Sequence, residues 1–327
     1  MKNKHLDVKN ALFLGPMAGY TDRAMRVVSH MCGADISVTE MVSAKATVFG
    51  DKKTALLSRI REDEGRVFLQ IFGSEPSVMG EAAAILTEPY GEDGYVSPEA
   101  IDINMGCPVH KIFSNGEGSA LMKSPEKIYD IVKAVNEATR LPVTVKMRAG
   151  VDKEHISAVE CALAAESAGA ALICVHGRTR SQLYGGLADR EIIKNVKKSL
   201  HIPVIANGDV VNSESAVSMI NDTGADGIMI GRGAVGDPFI FSEIKARLAG
   251  EEYVPPSDSE RVKIALLELR LAVEDKGERI AIPEARKKIA AYFKGFRGSA
   301  QLRAKINMAQ TYFEVEELLS SCLELKM

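Results

Sequence analysis

Ile101-Asp102-Ile103-Asn104-Met105-Gly106-Cys107-Pro108 is a short β-branched run that ends in an amide, a glycine, a thiol and a proline, with Lys111 a turn further on. The run IDI reads as a buried strand and the residues after it as a turn. In parallel α/β proteins ligands bind at the carboxyl ends of strands. A lone cysteine at such a place is a candidate for chemistry, and the kind of chemistry depends on the other strands.

Seven further runs resemble this one. They are ALFL (11–14), DISVTE (35–40), RVFLQIF (66–72), PVTVKM (142–147), ALICVH (171–176), PVIAN (203–207) and GIMIG (227–231), with AIDIN (100–104) as the fourth of the eight. Apolar residues recur at helical spacing over 21–32, 76–87, 124–139, 154–168, 189–199, 213–222 and 238–248. Ser124-Pro125 and Asn212-Ser213 are sensible helix starts. The connection from Lys45 to Arg59 has no clear period. Eight strands with intervening helices over ~250 residues predict a (β/α)8 TIM barrel, with a doubly wound sheet as the alternative. After Gly250 the pattern changes. EEYVPPSDSE reads as a linker, and only helical stretches follow, at about 260–276, 283–294, 299–311 and 313–325. The expected organisation is a barrel over 1–248, a linker over 249–258 and a small all-helical domain over 259–327.

Composition is that of a soluble globular protein: 46% hydrophobic, 26% charged and a net charge of −3, so any affinity for nucleic acid must be local. The five cysteines, odd in number and without CxxC spacing, argue against a disulfide framework, a metal site or an iron–sulfur cluster, and for the cytoplasm. The basic N-terminus breaks at Gly15-Pro16 too early for a signal peptide. No apolar run approaches the length of a membrane span.

The polar groups gather at the strand ends. Gly15-Pro16-Met17-Ala18-Gly19 is a turn of small residues that would let a flat ligand approach, or a plain barrel turn. Gln70 is an amide in an apolar strand. Left unpaired it would cost about 1–3 kcal/mol, so it calls for a ligand or backbone partner. Lys146 and Arg148 alternate with Met147 and share a side, and Lys146, flanked by Val145 and Met147, calls for an anionic partner. His176, Arg178 and Arg180 cluster after the sixth run. Gly208, Gly231 and Gly233 with Arg232 follow the last two, where barrels of this kind commonly bind phosphate. Gly231-x-Gly233-x-x-Gly236 matches the dinucleotide pattern by letter only, since no second βαβ half follows. A phosphate site, a buried Lys, a Gln and a Pro-Met-Ala turn at one mouth describe an FMN pocket, with Gln70 and Lys146 facing the ring and a cation beside its N1–C2=O edge.

These motifs together resemble the tRNA-dihydrouridine synthase family, most closely its bacterial B-type branch. The matching segments are PMAGYTD (16–22), LQIFGSEP (69–76), DINMGCPVHK (102–111), GSALMKSP (118–125), PVTVKMRAG (142–150), VHGRTRSQLYGG (175–186), PVIANGD (203–209) and GADGIMIGRGAVGDP (224–238). RKKIAAYFKGFRGSAQLR (286–303) is similar to the family's helical RNA-binding domain. The resemblance implies reduction of the C5=C6 bond of uridines in tRNA, with hydride from FMN N5 to C6 and NADPH or NADH as reductant. It also implies that Pro16, Met17, Ala18, Gln70, Lys146, His176, Asn207, Gly208, Asp209, Gly231 and Arg232 bind FMN. On the same basis Cys107 gives the proton to C5, and Asn104 and Arg178 hold the uracil. Ala188-Asp189-Arg190, Asp237-Pro238-Phe239, Met25 and a longer loop over 88–99 depart from the family pattern, at packing or rim positions.

The residues agree with that chemistry. A thiol with a pKa near ~8.5 is mostly protonated at neutral pH and can act as an acid. A buried structural thiol is the usual alternative; it suits Cys161 and Cys174 better than Cys107. Extruding a base costs a few kcal/mol, which RNA contacts must offset. Arg279, Arg286, Lys287, Lys288, Lys294, Arg297, Arg303 and Lys305 cluster with Tyr292, Phe293 and Phe296 between them. Helical spacing puts Arg286, Arg297 and Arg303 on an RNA-facing surface, or else the helix is simply solvated with its aromatics packed inward. No metal is expected, and the chain is expected to act as a monomer. Rival readings are a lyase using Lys146 as a Schiff base, a small-molecule flavin reductase, and an RNA-binding protein without activity.

Overall fold

The β-branched runs become strands because each has a face for the barrel interior and a face for the surrounding helices. In the computed structural model, which describes residues 6–87, 94–296 and 298–324, the strands are β1 (Ala11–Leu14), β2 (Ile36–Val38), β3 (Val42–Ser43), β4 (Arg66–Phe72), β5 (Ala100–Met105), β6 (Val143–Arg148), β7 (Leu172–His176), β8 (Val204–Asn207) and β9 (Gly227–Ile230). All pairings between them are parallel, in the order β2-β1-β9-β8-β7-β6-β5-β4-β3. A further pairing of β2 with β4 closes the ring, so eight strands form a barrel and β3 is a short addition beside Ile71 and Phe72. Closure rules out the doubly wound sheet.

Period-two alternation divides the core. Leu12, Leu14, Leu69, Ile71, Ile101, Ile103, Met105, Val143, Val145 and Met147 point outward into one continuous cluster with the helices. Ala11, Phe13, Ile36, Val38, Phe68, Leu172, Cys174, Ile205 and Met229 form a separate cluster. Phe13 and Phe68 meet there edge to face at 5.8 Å. The register pairs Gln70 with Asp102, Asp102 with Thr144, Asn104 with Lys146 and Arg148 with His176. These polar residues therefore share the inner face with that second cluster.

The connection without a clear period contains two short helices, Ala44–Val48 and Lys52–Leu57, each started by a side-chain cap from Ser43 or Asp51. Helices of five and six residues are too short to show a period of 3.6. The helix expected at 154–168 begins at Ala158. The first part of the loop expected over 88–99 lies outside the described residues.

Beyond the linker stand the helices Asp258–Lys276, Glu278–Tyr292, Ser299–Met308 and Tyr312–Glu324. The second begins five residues before Pro283, where a start was expected. Gly277, at φ 73°, ends the first helix and lets the chain re-enter at once, so the proline lies inside the second. Val262, Leu269, Ile289, Tyr292, Phe293 and Ile306 form these helices' own cluster. Ala24 and Val27, from the helix Arg23–Met31, pack against Leu271, Ala272 and Ala281. At the same junction a Cβ on Gly236 would stand 2.4 Å from Ala291 Cβ. The third glycine of the GxGxxG-like run thus serves the approach of the loop after β9 to helix Glu278–Tyr292.

Candidate active site

Strand alternation brings Gln70, Asp102, Asn104, Thr144, Lys146, His176 and Asn207 to one end of the barrel. The turn after β5 is built on Asn104: its Oδ1 accepts from the N–H of Gly106 at 3.1 Å and of Cys107 at 2.9 Å. Ser119 fixes the same turn from the other side, its N–H and hydroxyl both donating to the Cys107 carbonyl. Gly118, at φ 58°, sits where a Cβ would touch Cys107 Cβ at 3.0 Å. The thiol is half-buried. Burial pushes its pKa up, against the opposing effects of the Val109 N–H and the Arg148 charge. Cys107 is therefore a protonated thiol at neutral pH.

Lys146 donates to Asn207 Oδ1 at 3.0 Å, and Asn207 is anchored in turn by donating to the Met229 carbonyl at 2.8 Å. The anionic partner expected for Lys146 is replaced by a neutral amide; no carboxylate among the described residues forms an ion pair with it. Burial lowers its pKa, as does the charge of Arg148. Gln70 also differs from expectation. Its amide is fully buried and bonded to side chains, donating to Asp102 Oδ2 at 2.7 Å and accepting from Asn104 Nδ2 at 2.8 Å.

His176 is held neutral, its pKa down to about 2, by burial and by Lys146, Arg148, Arg178 and Arg232 around it. Arg178 reaches the mouth, but its guanidinium is engaged by the carbonyls of Gly185 and Gly186 and by Asp209, at 2.7 Å. It is 2% exposed, so it bears on a ligand through the loop and the carboxylate it fixes. Despite burial, the Ala188 N–H and Arg178 hold the Asp209 carboxyl below the usual range. Arg232 is half-exposed, 3.7 Å from Asp209, with its guanidinium over the Tyr184 ring.

No acceptor among the described residues takes the N–H groups of Gly208, Asp209, Gly231, Arg232 or Gly233. Gly208 and Asp209 have φ of 133° and 55°, and the short helix Arg232–Ala234 starts beside them. Open N–H groups with Arg232 close by suit a phosphate. Met17, from the turn after β1, lies against Gly231, its Sδ 3.5 Å from where a Cβ would stand. Pro16 and Ala18 flank it, and the Met17 N–H donates to the Thr21 hydroxyl. A lysine whose hydrogen-bond partner is a neutral amide and a set of N–H groups on the neighbouring strand ends suit a ligand with an anionic edge and a phosphate.

Sequence reasoning assigned no role to two residues here. Arg148 is 3% exposed and joins the Cys107 turn to the loop after β7. It donates to the carbonyls of Gly106, Thr179 and Leu183 at 2.8 to 3.0 Å. Asp102 is a carboxyl between two buried isoleucines. The inference applied to Lys146, a charged residue inside an apolar strand, would have flagged it.

The basic cluster of the C-terminal helices divides in two. Arg303 is exposed. Arg286 is turned partly inward and donates to the Ala309 carbonyl at 2.9 Å. Arg297 lies outside the described residues. Lys288, counted with the surface cations, is in fact buried between Asp22 at 3.1 Å and Glu268 at 2.9 Å. Tyr292 and Phe293 pack inward.

A family profile described as Dihydrouridine synthase (Dus) matches residues 13–326. A protein of Rickettsia conorii named "Probable tRNA-dihydrouridine synthase" is 39% identical over 98% of this chain and 95% of its own length. One of Shewanella oneidensis named "tRNA-dihydrouridine synthase B" is 38% identical over 95% of both chains. Among solved structures, histamine dehydrogenase from Rhizobium sp. 4-9 shares the fold at a TM-score of 0.55 and 12% identity. That match covers 88% of this chain and half of the other.

Proposed function

The chain belongs to the dihydrouridine synthase family, and from that premise we propose that it reduces the C5=C6 bond of specific uridines in tRNA to 5,6-dihydrouridine, as an FMN enzyme supplied with electrons by NADPH or NADH. FMN, when bound, supplies the hydride that goes to uracil C6. Its phosphate would be held by the N–H groups of Gly208, Asp209, Gly231 and Arg232 and by the Arg232 guanidinium. Its ring would meet Pro16, Met17, Ala18, Lys146, His176 and Asn207; Gln70, expected there too, is fully buried and would act through Asn104 without touching the ring.

The observation that carries this reading is Cys107, a half-buried thiol placed at the barrel mouth by a turn fixed on both sides. Hydride addition at C6 leaves negative charge spread over C5, C4 and O4, and C5 must then take a proton. The Cys107 Sγ–H supplies it, and the thiolate left behind is reprotonated from solvent. Asn104 and Arg148 keep the turn in place while the base is bound. Neutral His176 contributes a hydrogen bond without adding a further cation beside Lys146. Lys146, with no carboxylate among the described residues paired to it, remains available to negative charge in the pocket.

The barrel over 1–248 is then the catalytic unit and 259–327 the RNA-binding unit, with the exposed Arg303 as a contact to RNA. Protein of this kind would be cytoplasmic, without a membrane partner or a metal; no helix of the described residues is long and apolar enough to cross a membrane. The test is dihydrouridine mapping in RNA from cells with and without the gene, together with Cys107→Ala. The variant is expected to keep its flavin and its reduction by NADPH, and to lose about 10²–10⁴-fold in RNA reduction, the range of general acid catalysis. Unchanged dihydrouridine in either experiment would refute the reading.

A further inference from the structure

Four polar side chains and five hydrogen bonds connect the barrel interior to the Cys107 turn in an unbroken series. The Thr144 hydroxyl donates to Asp102 Oδ1 at 2.6 Å, and Gln70 Nε2 donates to Asp102 Oδ2 at 2.7 Å. Asn104 Nδ2 donates to Gln70 Oε1 at 2.8 Å. The Gly106 and Cys107 N–H groups then donate to Asn104 Oδ1. Every donor points toward Asp102. An ionised carboxylate can only accept, whereas each carboxamide has one donating and one accepting end and can be turned over. The Gly106 and Cys107 N–H groups, which only donate, require an oxygen of Asn104 at the open end. The two amides can keep that direction with every bond made only if the closed end accepts.

We propose that Asp102 is a positioning residue for the proton donor: as an acceptor at the closed end of the series, it orients the amides of Gln70 and Asn104 and so holds the turn that carries Cys107. This rests on the reading of Cys107 as the acid. Burial raises the Asp102 carboxyl pKa, while Gln70, Thr144 and the nearby charge of Lys146 oppose that shift and favour the carboxylate. Asp102 is 3% exposed and lies two residues before Asn104 on β5, so it acts through the series and touches no substrate. If the amides reversed, Asn104 would present an NH₂ to two N–H groups. Neither would then have an acceptor, and the turn would move.

Asp102→Asn tests this directly, because its amide can turn and present a donor to Gln70. The holoenzyme variant is expected to retain FMN and to be reduced by NADPH at the wild-type rate. Its reduced form should react with tRNA about 10²-fold more slowly, the loss typical of a misplaced group. Gln70→Glu added to Asp102→Asn puts the acceptor-only carboxylate in the middle of the series, where both amides can donate to it. The double variant should recover most of the tRNA step. Alkylation of Cys107 by iodoacetamide, followed by mass spectrometry, requires no turnover; the single variant should shift its pH profile to lower pH as the turn loosens, and the double variant should shift it back. A wild-type tRNA step in Asp102→Asn, or a double variant no better than the single one, overturns the proposal. If Cys107→Ala proves active while the alkylation profiles behave as stated, the acid assignment fails and the positioning stands. Should Asp102→Asn not fold, Thr144→Val removes one donor at the same shape; it should slow the same tRNA step, and no slowing overturns the proposal.

Discussion

At the scale of single residues, the site depends on which protonation states burial enforces. With Cys107 as the proposed acid, the thiol is the working form, and burial raises its pKa. The protonation of C5 is therefore at full rate below that pKa and is lost as pH rises through it. The alkaline limb of the tRNA step, followed by stopped flow with pre-reduced enzyme, should fall above the ~8.5 of an ordinary thiol. A limb at or below that value would count against Cys107 as the acid. His176 contributes no limb near neutrality, being neutral down to about pH 2. Much of this was legible in the sequence, because a lone cysteine in a Gly-Cys-Pro turn and a lysine between Val145 and Met147 are local signals. The partners were not. That Gln70 is bonded by Asp102 and Asn104, and that Arg178 is engaged by Gly185, Gly186 and Asp209, depends on strand register and loop path.

At the scale of elements, the period-two runs gave all eight barrel strands to within a residue or two, since each must satisfy an inner and an outer face at once. What was missed was short or tertiary: β3, the two brief helices after it, and the helix that runs through Pro283. The same limit explains Lys288, whose place in a run of cations suggested a solvated face. It instead joins helix Glu278–Tyr292 to Glu268 and to Asp22, the residue that caps helix Arg23–Met31. Lys288→Met would leave Asp22 and Glu268 buried with less compensation, and should destabilise the protein by about 3–5 kcal/mol in urea unfolding. The two carboxylates hold the lysine pKa above its ordinary value in the folded state. Its contribution is therefore fully present below ~10.4 and is lost as pH rises through the raised pKa. The gap between wild type and variant should be constant near neutrality and should narrow at strongly alkaline pH. A gap that widens there would mean that the ion pairs are not its source.

At the scale of the whole molecule, the buried junction bears on how the barrel and the helices share the work. Ala24 and Val27 lie against Leu271, Ala272 and Ala281, and Lys288 also donates to the Tyr20 carbonyl, next to the Pro16–Gly19 turn. Cutting the chain at the linker would expose that apolar face and unbalance Asp22, so truncation confuses loss of RNA contact with loss of stability. Charge reversal on the exposed surface separates the two. Arg303 and Lys305 are exposed and lie outside the junction. Arg303→Glu with Lys305→Glu should leave the unfolding midpoint and NADPH oxidation by the flavin unchanged while raising KM for tRNA. Each phosphate contact removed should also reduce the slope of log affinity against log salt by about 1. Unchanged KM and salt slope would move the RNA-binding surface off these helices and onto the rim of the barrel, where Arg232 and Lys111 are exposed cations. A fall in NADPH oxidation would mean instead that the helices support the flavin pocket through the Asp22 junction. The two outcomes differ because RNA contact acts on substrate affinity alone, whereas the junction acts on the turn after β1.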